Sequence, residues 1–256
     1  MKKTMILFVV AMVMVTGFAI PCRAQDTAPP AKPQWPYPIA DQGKYTSVLF
    51  DLFEYQRIRD VNALRWDILG WSGGDKQRFW LKSEGTLYPA KIGGGEFDIQ
   101  ALYGKLILPF FDLQTGLRFE EHFERDSSPT RVFAVIGLQG LAPYRFEIEP
   151  ALFLSNKGKA SGRFTVTHDT LFTQRLILQS RLEAELAAQK DDEFGVKSGI
   201  NDVELGFRLR YEIRRKFAPY IGVSYRQSLG ATKARVLREG GAPNVLQGVA
   251  GVRMWF

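Results

Sequence analysis

The chain has 256 residues, of which 45% are hydrophobic and 24% are charged, and this composition excludes collagen and disordered low-complexity polymers. Its single cysteine excludes a disulfide framework. After residue 24 the chain holds no cysteine, one methionine and two histidines, which excludes zinc fingers, iron–sulfur centres and cages of soft metal ligands. The formal charge of +7 falls to +4 without residues 1–24, which carry three basic side chains and no acid, and so weak a charge indicates no nucleic-acid partner.

The first 24 residues are typical of an export signal peptide. Two lysines at positions 2 and 3 precede an apolar stretch over residues 6–20, and residues 22–24 form a small-x-small cleavage site. A membrane anchor is the alternative, but the apolar stretch is only as long as a signal core, and a glycine and a proline interrupt it. We therefore expect the mature chain to start at Gln25.

Residues 25–43 follow as a proline-rich lead, with prolines at positions 29, 30, 33, 36 and 38. A segment with this spacing of prolines joins neither a helix nor a central strand, so we expect it to be extended and flexible. The folded domain is then predicted to occupy residues 44–256.

From Tyr45 onward, apolar residues recur at every second position in one segment after another. The clearest case is 203–213, where the odd positions are apolar and the even positions between them are mostly charged. The same alternation predicts twelve strands, at 45–55, 63–71, 78–86, 96–104, 110–120, 131–139, 144–154, 163–172, 175–186, 202–213, 217–227 and 246–256.

The connections between these segments alternate in length, from about seven to eighteen residues after odd-numbered segments to about two to six after even-numbered ones. This rhythm is typical of outer-membrane barrels and not of a soluble β-sandwich, which is the alternative for alternating strands. The last segment ends on an aromatic residue, Phe256, and resembles the assembly signal of bacterial outer-membrane proteins. We predict an all-β fold: a closed transmembrane antiparallel β-barrel of about twelve strands in the outer membrane, with both termini in the periplasm.

The polar face of such a barrel is its lumen, and here it carries acidic and basic side chains in comparable numbers. Toward the extracellular mouth the period-two count gives a small surplus of carboxylates. We expect five of them to act together as hard oxygen ligands that attract cations: Glu84, Asp98, Glu120, Glu183 and Glu204. The alternative is a lattice of salt bridges that only stabilises a closed barrel.

His122 adds a sixth candidate metal ligand. It lies in the segment EEHFE (120–124), which we place in the third outer loop, and it is the only imidazole beside carboxylates. The alternative is a solvated acidic loop without a metal.

Several stretches go beyond a generic barrel pattern. They are LFEYQR (52–57), RWDILGWSGGDKQRFWLKSEG (65–85), LYGKLILPFFDLQTGLRF (102–119), LQGLAPYRFE (138–147), LFTQRLILQSRLE (171–183), GINDVELGFRLRYEIRRKFAPYIGV (199–223) and VAGVRMWF (249–256). In this order they resemble the copper resistance protein B family of bacterial outer-membrane proteins.

The resemblance implies a barrel that binds or conducts copper ions as part of copper resistance. Its implied partners are outer-membrane lipid, copper ions and periplasmic copper-resistance proteins. One departure concerns the lead at 25–43, which lacks the Met- and His-rich segment usual in the family, so any copper contact must lie in the barrel. A narrow passive or structural barrel without metal preference is the alternative function.

We expect no enzymatic activity. His168 faces outward near the periplasmic rim by its phase, and the turn that we assume for 172–174 makes Ser180 its diagonal neighbour, about 7 Å away. A nucleophile needs its base within hydrogen-bond reach. The motifs G-x-S-x-G and H-E-x-x-H are also absent from the sequence.

Overall fold

The structure is a computed structural model, and it describes residues 43–58, 61–88, 94–123, 128–191, 194, 196–238 and 240–256. The predicted signal peptide at 1–24 and the lead at 25–43, apart from Gly43, lie outside the described residues. Among those described, no helix is both long and apolar enough to cross a membrane.

Twelve antiparallel strands form a closed barrel, in which each strand pairs with its neighbours in the chain and the first pairs with the last. In chain order, β1 to β12 are Tyr45–Ile58, Val61–Gly73, Gln77–Tyr88, Gly94–Leu108, Phe111–Phe123, Thr130–Ala142, Phe146–Ser155, Ala160–Leu171, Leu176–Ala187, Gly199–Tyr211, Phe217–Ser228 and Asn244–Trp255. One helix, α1 (Gly230–Arg238), lies in the connection between β11 and β12. The predicted fold class and strand number are confirmed.

The barrel has two distinct ends. We call the end where β1 begins and β12 finishes the terminal end, and the opposite one, which carries the longest connections, the loop end. Closure at the terminal end is direct, since the backbone N–H of Val48 donates to the Phe256 carbonyl and that of Phe256 donates back to Val48. A closed barrel has no free strand edge, so its backbone groups are satisfied even in lipid.

Side chains alternate between lipid and lumen as the sequence predicts. In β10, Leu205, Phe207 and Leu209 are exposed on the outer wall. Arg208 and Arg210, which alternate with them, are buried in the lumen.

Among the described residues, register shifts break this alternation in three strands, of which β4 has its shift between Leu106 and Leu108. The register of β1 against β2 shifts between Phe50 and Leu52, so that Asp51 and Glu54, an odd and an even position, both contact lumen arginines. A second shift, between Ile200 and Asp202 in β10, adds Asn201 to the lumen side.

The turn between β6 and β7 corrects one predicted boundary. Strand β7 begins at Phe146 and not at residue 144, because Pro143–Arg145 form a 3-10 turn. Tyr144 and Arg145 both have left-handed backbone angles there, with φ of 63° and 65°, which no strand can include.

Apolar side chains fill one side of the lumen. Trp80, Leu102, Phe133, Val135 and Phe153 form a buried cluster from β3, β4, β6 and β7. The lumen is therefore a packed interior with an apolar side and a charged side, as expected for a barrel of this size.

The outer wall gives a test of the fold. Arginine in place of Phe207, a lipid-facing residue within β10, should lower the free energy of unfolding by about 2–4 kcal/mol because the charge lies near the bilayer midplane. The matched control is Tyr211→Arg at the end of the same strand, where the cost should be about 0–1 kcal/mol. Urea unfolding in lipid vesicles measures both, and equal losses would contradict the outward placement of Phe207.

Candidate metal site

The six predicted metal ligands line a single cavity at the loop end of the lumen. Its volume is about 280 Å³, and it is bordered by Glu84, Asp98, Glu120, His122, Glu183 and Glu204. The strands β3, β4, β5, β9 and β10 supply these side chains, so residues 120 positions apart in sequence meet across the barrel. Their role as metal ligands stays a prediction.

Each of the five predicted carboxylates is already paired with arginine. Glu84 lies 2.5 Å from Arg163, and Asp98 lies 2.8 Å from Arg118. The remaining pairs are Glu120 with Arg118 and Arg131, Glu183 with Arg65 and Arg181, and Glu204 with Arg65 and Arg226, at 2.5 to 3.3 Å. These contacts offset much of the negative field that a surplus of carboxylates would produce.

Arg131, which the sequence reasoning did not single out, also lines this cavity. It is 9% exposed, and it contacts Glu120 at 2.5 Å and Asp191 at 3.2 Å. Its phase with Phe133, which is also buried in the lumen, is the signal that could have placed it there.

His122 lies in strand β5 and not in the third outer loop, which corrects its predicted position. Its Nε2 lies 2.8 Å from Glu120 Oε1 and 3.6 Å from Glu96 Oε2. The sequence reasoning missed Glu96 as a candidate ligand, although it stands directly opposite His122 in the β4–β5 ladder. The register of that hairpin is the signal that identifies it.

His122, Glu96 and Glu120 do not form a finished metal site. Among the described residues, no group of three or more His, Cys, Asp or Glu side chains is arranged to hold a metal ion. Glu120 is held by arginines, whereas the Glu96 side chain is 45% exposed and has room to move toward the imidazole. A metal at this point requires that movement.

Among the described residues, two connections contribute side chains to the lining of the loop-end cavity. From the β9–β10 connection, Asp191 contacts Arg131 and Lys159, and the Phe194 ring lies 3.6 Å from the Arg131 guanidinium and 5.1 Å from the His122 ring. Burial raises the pKa of Asp191, but its hydrogen bond and attraction to Lys159, together with Arg131, lower that pKa by more. The net pKa is lowered, so the Asp191 carboxylate stays ionised over the cavity.

Asn201, the bulge residue of β10, joins this connection to the one that carries α1. Its Oδ1 accepts hydrogen bonds from the Lys197 backbone N–H and the Thr232 hydroxyl. Its carbonyl accepts from the Leu229 backbone N–H.

Deeper in the lumen lies a second, smaller cavity of about 50 Å³, which we call the inner cavity. A separate buried pair crosses the lumen, in which Arg208 donates to both Glu54 oxygens at 2.8 and 2.9 Å. Tyr220 and Gln56 donate to the same carboxylate. This carboxylate is thus fully used in structural contacts.

The second histidine lies on the outer wall, stacked on Phe146 at 4.5 Å. The predicted register around it is wrong: Leu171 pairs with Ile177, so His168 stands directly opposite Ser180. Among the described residues His168 Nδ1 is buried without a hydrogen-bond partner, and it therefore lacks the third polar group that orients a catalytic histidine.

The comparisons with known proteins agree with the resemblance found in the sequence. The family model for the copper resistance protein B precursor matches residues 44–256. The chain belongs to the copper resistance protein B family. It is 44% identical over 209 residues to copper resistance protein B of Escherichia coli, covering 82% of this chain and 69% of that protein. A copper resistance protein B homolog of Pseudomonas syringae pv. tomato is 35% identical, with 80% and 68% covered.

Among solved structures, the NanC porin is similar to this copper resistance protein B family member in fold. The TM-score is 0.50 at 11% sequence identity, and the alignment covers 82% of this chain and 99% of the porin. Barrel and family together fit an outer-membrane location and suggest a non-enzymatic role.

The buried Arg208–Glu54 pair gives a test of the charged lattice. Glu54→Gln should lower the free energy of unfolding by about 3–5 kcal/mol, because it leaves the Arg208 charge buried and uncompensated. The double variant Glu54→Leu with Arg208→Met removes both charges and should recover most of that loss. Urea unfolding measures both variants; a double variant that is no more stable than Glu54→Gln would contradict the cost assigned to the unpaired arginine.

Proposed function

We propose that this protein binds copper ions in the loop-end cavity of its barrel as part of copper resistance. One observation carries the proposal: His122 lies in contact with Glu120 and close to Glu96, inside the cavity that gathers all six predicted ligands. Copper is the cargo of this site.

The donor atoms favour Cu(II). Imidazole nitrogen and carboxylate oxygen suit Cu(II), whereas Cu(I) prefers thiolate and thioether sulfur. In the sequence after residue 24 the only sulfur is that of Met254, in the last strand at the terminal end. A copper ion in the loop-end cavity would therefore meet nitrogen and oxygen.

The ion pairs favour the alternative function, a narrow passive or structural barrel. Arginines hold all five predicted carboxylates, and such pairs stabilise a closed barrel whether or not a metal binds. The contacts of His122 and Glu96 lie at the edge of this network of ion pairs. A test at these two side chains therefore distinguishes the two functions.

The same proposal assigns an orientation. The loop end faces the cell exterior and both termini face the periplasm, as in barrels with long outer loops and short inner turns. The exposed apolar wall contacts outer-membrane lipid, and copper that passes the barrel reaches periplasmic copper-resistance proteins.

The two histidines allow a matched test. Replacing His122 with glutamine should weaken Cu(II) binding by about tenfold or more, because one strong nitrogen ligand is lost. The control, His168→Gln, makes the same change on the outer wall and should leave binding unchanged. Isothermal titration of the folded barrel in detergent gives the affinity.

Electron paramagnetic resonance of bound Cu(II) adds an independent readout. Nitrogen hyperfine splitting should be present in the wild type and in His168→Gln but absent in His122→Gln. Equal affinity and equal splitting in both variants would reject the copper site and favour the structural barrel.

A further inference from the structure

Three side chains join the two cavities of the lumen. The loop-end cavity and the inner cavity share Glu84, Phe153 and Arg163 among their lining residues. The Arg163 guanidinium lies 2.5 Å from the Glu84 carboxylate and 5.7 Å from the centroid of the Phe153 ring. We call these three residues the neck.

Arg163 is held in the neck from the loop-end side. Its Nη2 lies 3.3 Å from Asp98, and its Nε lies 3.8 Å from Glu185. That Nε is buried and has no hydrogen-bond partner among the described residues. The same holds for four other lumen arginines in the described part of the chain, so its ion pair with Glu84 at the neck, and not this donor, distinguishes Arg163.

Beyond the neck the walls are rich in oxygen atoms. The inner cavity is lined by five carboxyl side chains, Asp51, Asp67, Glu84, Glu147 and Glu149, and by three basic ones, Lys82, Arg163 and Arg181. Its volume of about 50 Å³ is enough for a few water molecules or a partly hydrated ion. Glu147, at the start of β7, is exposed toward the terminal end.

The charge at the neck depends on where Arg163 lies. In the present arrangement its positive charge stands between the two cavities and cancels that of Glu84, so the neck offers a cation no net attraction. If it swings away, Asp98 keeps Arg118 at 2.8 Å, whereas Glu84 has no other basic side chain in its ion pairs among the described residues. The neck then changes from neutral to negative.

We propose that Arg163 is the selectivity-determining residue of this lumen: paired with Glu84 it closes the neck to cations, and released from Glu84 it admits them to the inner cavity. The proposal rests on the proposed function for the identity of the cation as copper. The neck itself is independent of that identity, because any small cation meets the same charges.

Opposite substitutions at the neck test this. In planar lipid bilayers with a potassium chloride gradient, Arg163→Gln should raise the conductance at least about threefold and shift the reversal potential toward potassium selectivity. Glu84→Gln removes the shortest ion pair of the arginine, leaves the neck with a net positive charge and should shift the reversal potential in the other direction, toward chloride.

A matched control removes the same charge elsewhere in the lumen. Arg210 pairs with Asp169 and lines neither cavity, so Arg210→Gln should leave conductance and selectivity as in the wild type. The heat-dependent gel mobility of folded barrels verifies folding of each variant. If Arg163→Gln does not fold, the shift of the reversal potential toward chloride in Glu84→Gln tests the proposal by itself.

The outcomes separate this inference from the proposed function. Opposite shifts at Arg163 and Glu84, with none at Arg210, support the neck even if the wild type binds no copper. Unchanged conductance and selectivity in both neck variants would overturn the neck proposal. Changes in Arg210→Gln as large as those in Arg163→Gln would also overturn it. Both results would do so even if His122 binds Cu(II) as proposed.

Discussion

Burying an arginine side chain away from water is costly unless a carboxylate pairs with it, and the interior of this barrel depends on such pairs. The pairs join strands that are far apart in the chain: Arg208 of β10 meets Glu54 of β1, and Arg253 of β12 meets Asp51. A carboxylate that neutralises a structural arginine is also a potential ligand, so a cation that enters the lumen must compete with guanidinium groups for its oxygens. Stability and metal affinity therefore oppose each other in the same side chains.

The apolar side of the lumen sets where that competition takes place. Phe133 and Phe153 lie under guanidinium groups, with Arg118 at 5.5 and 4.6 Å from their ring centroids. The rings belong to the buried apolar cluster, so the ion pairs occupy the remaining part of the lumen. On the proposed function, an ion that crosses the barrel would pass along the charged side and through the neck.

Much of the barrel can be predicted from the sequence, because the alternation of apolar and polar residues is a local signal. The outward face of Phe207 and the membership of Glu84 and Glu204 in one cavity follow from the period of two and from strand order. The bulges at Asp51 and Asn201 do not, since one inserted residue changes the phase without changing the apolar pattern around it. The pairing of Glu96 with His122 also depends on the register of a hairpin. Register is hard to predict from turn length, and the register predicted around His168 was wrong.

Asn201 illustrates what a single inserted residue can do. One side chain and one carbonyl accept hydrogen bonds from both connections that cover the loop end, at Lys197, Leu229 and Thr232. The two segments therefore share one anchor and form a single mechanical unit over the mouth. A change of length in either connection would be transmitted to the other, so the two are constrained to vary together although more than thirty residues separate Lys197 from Thr232.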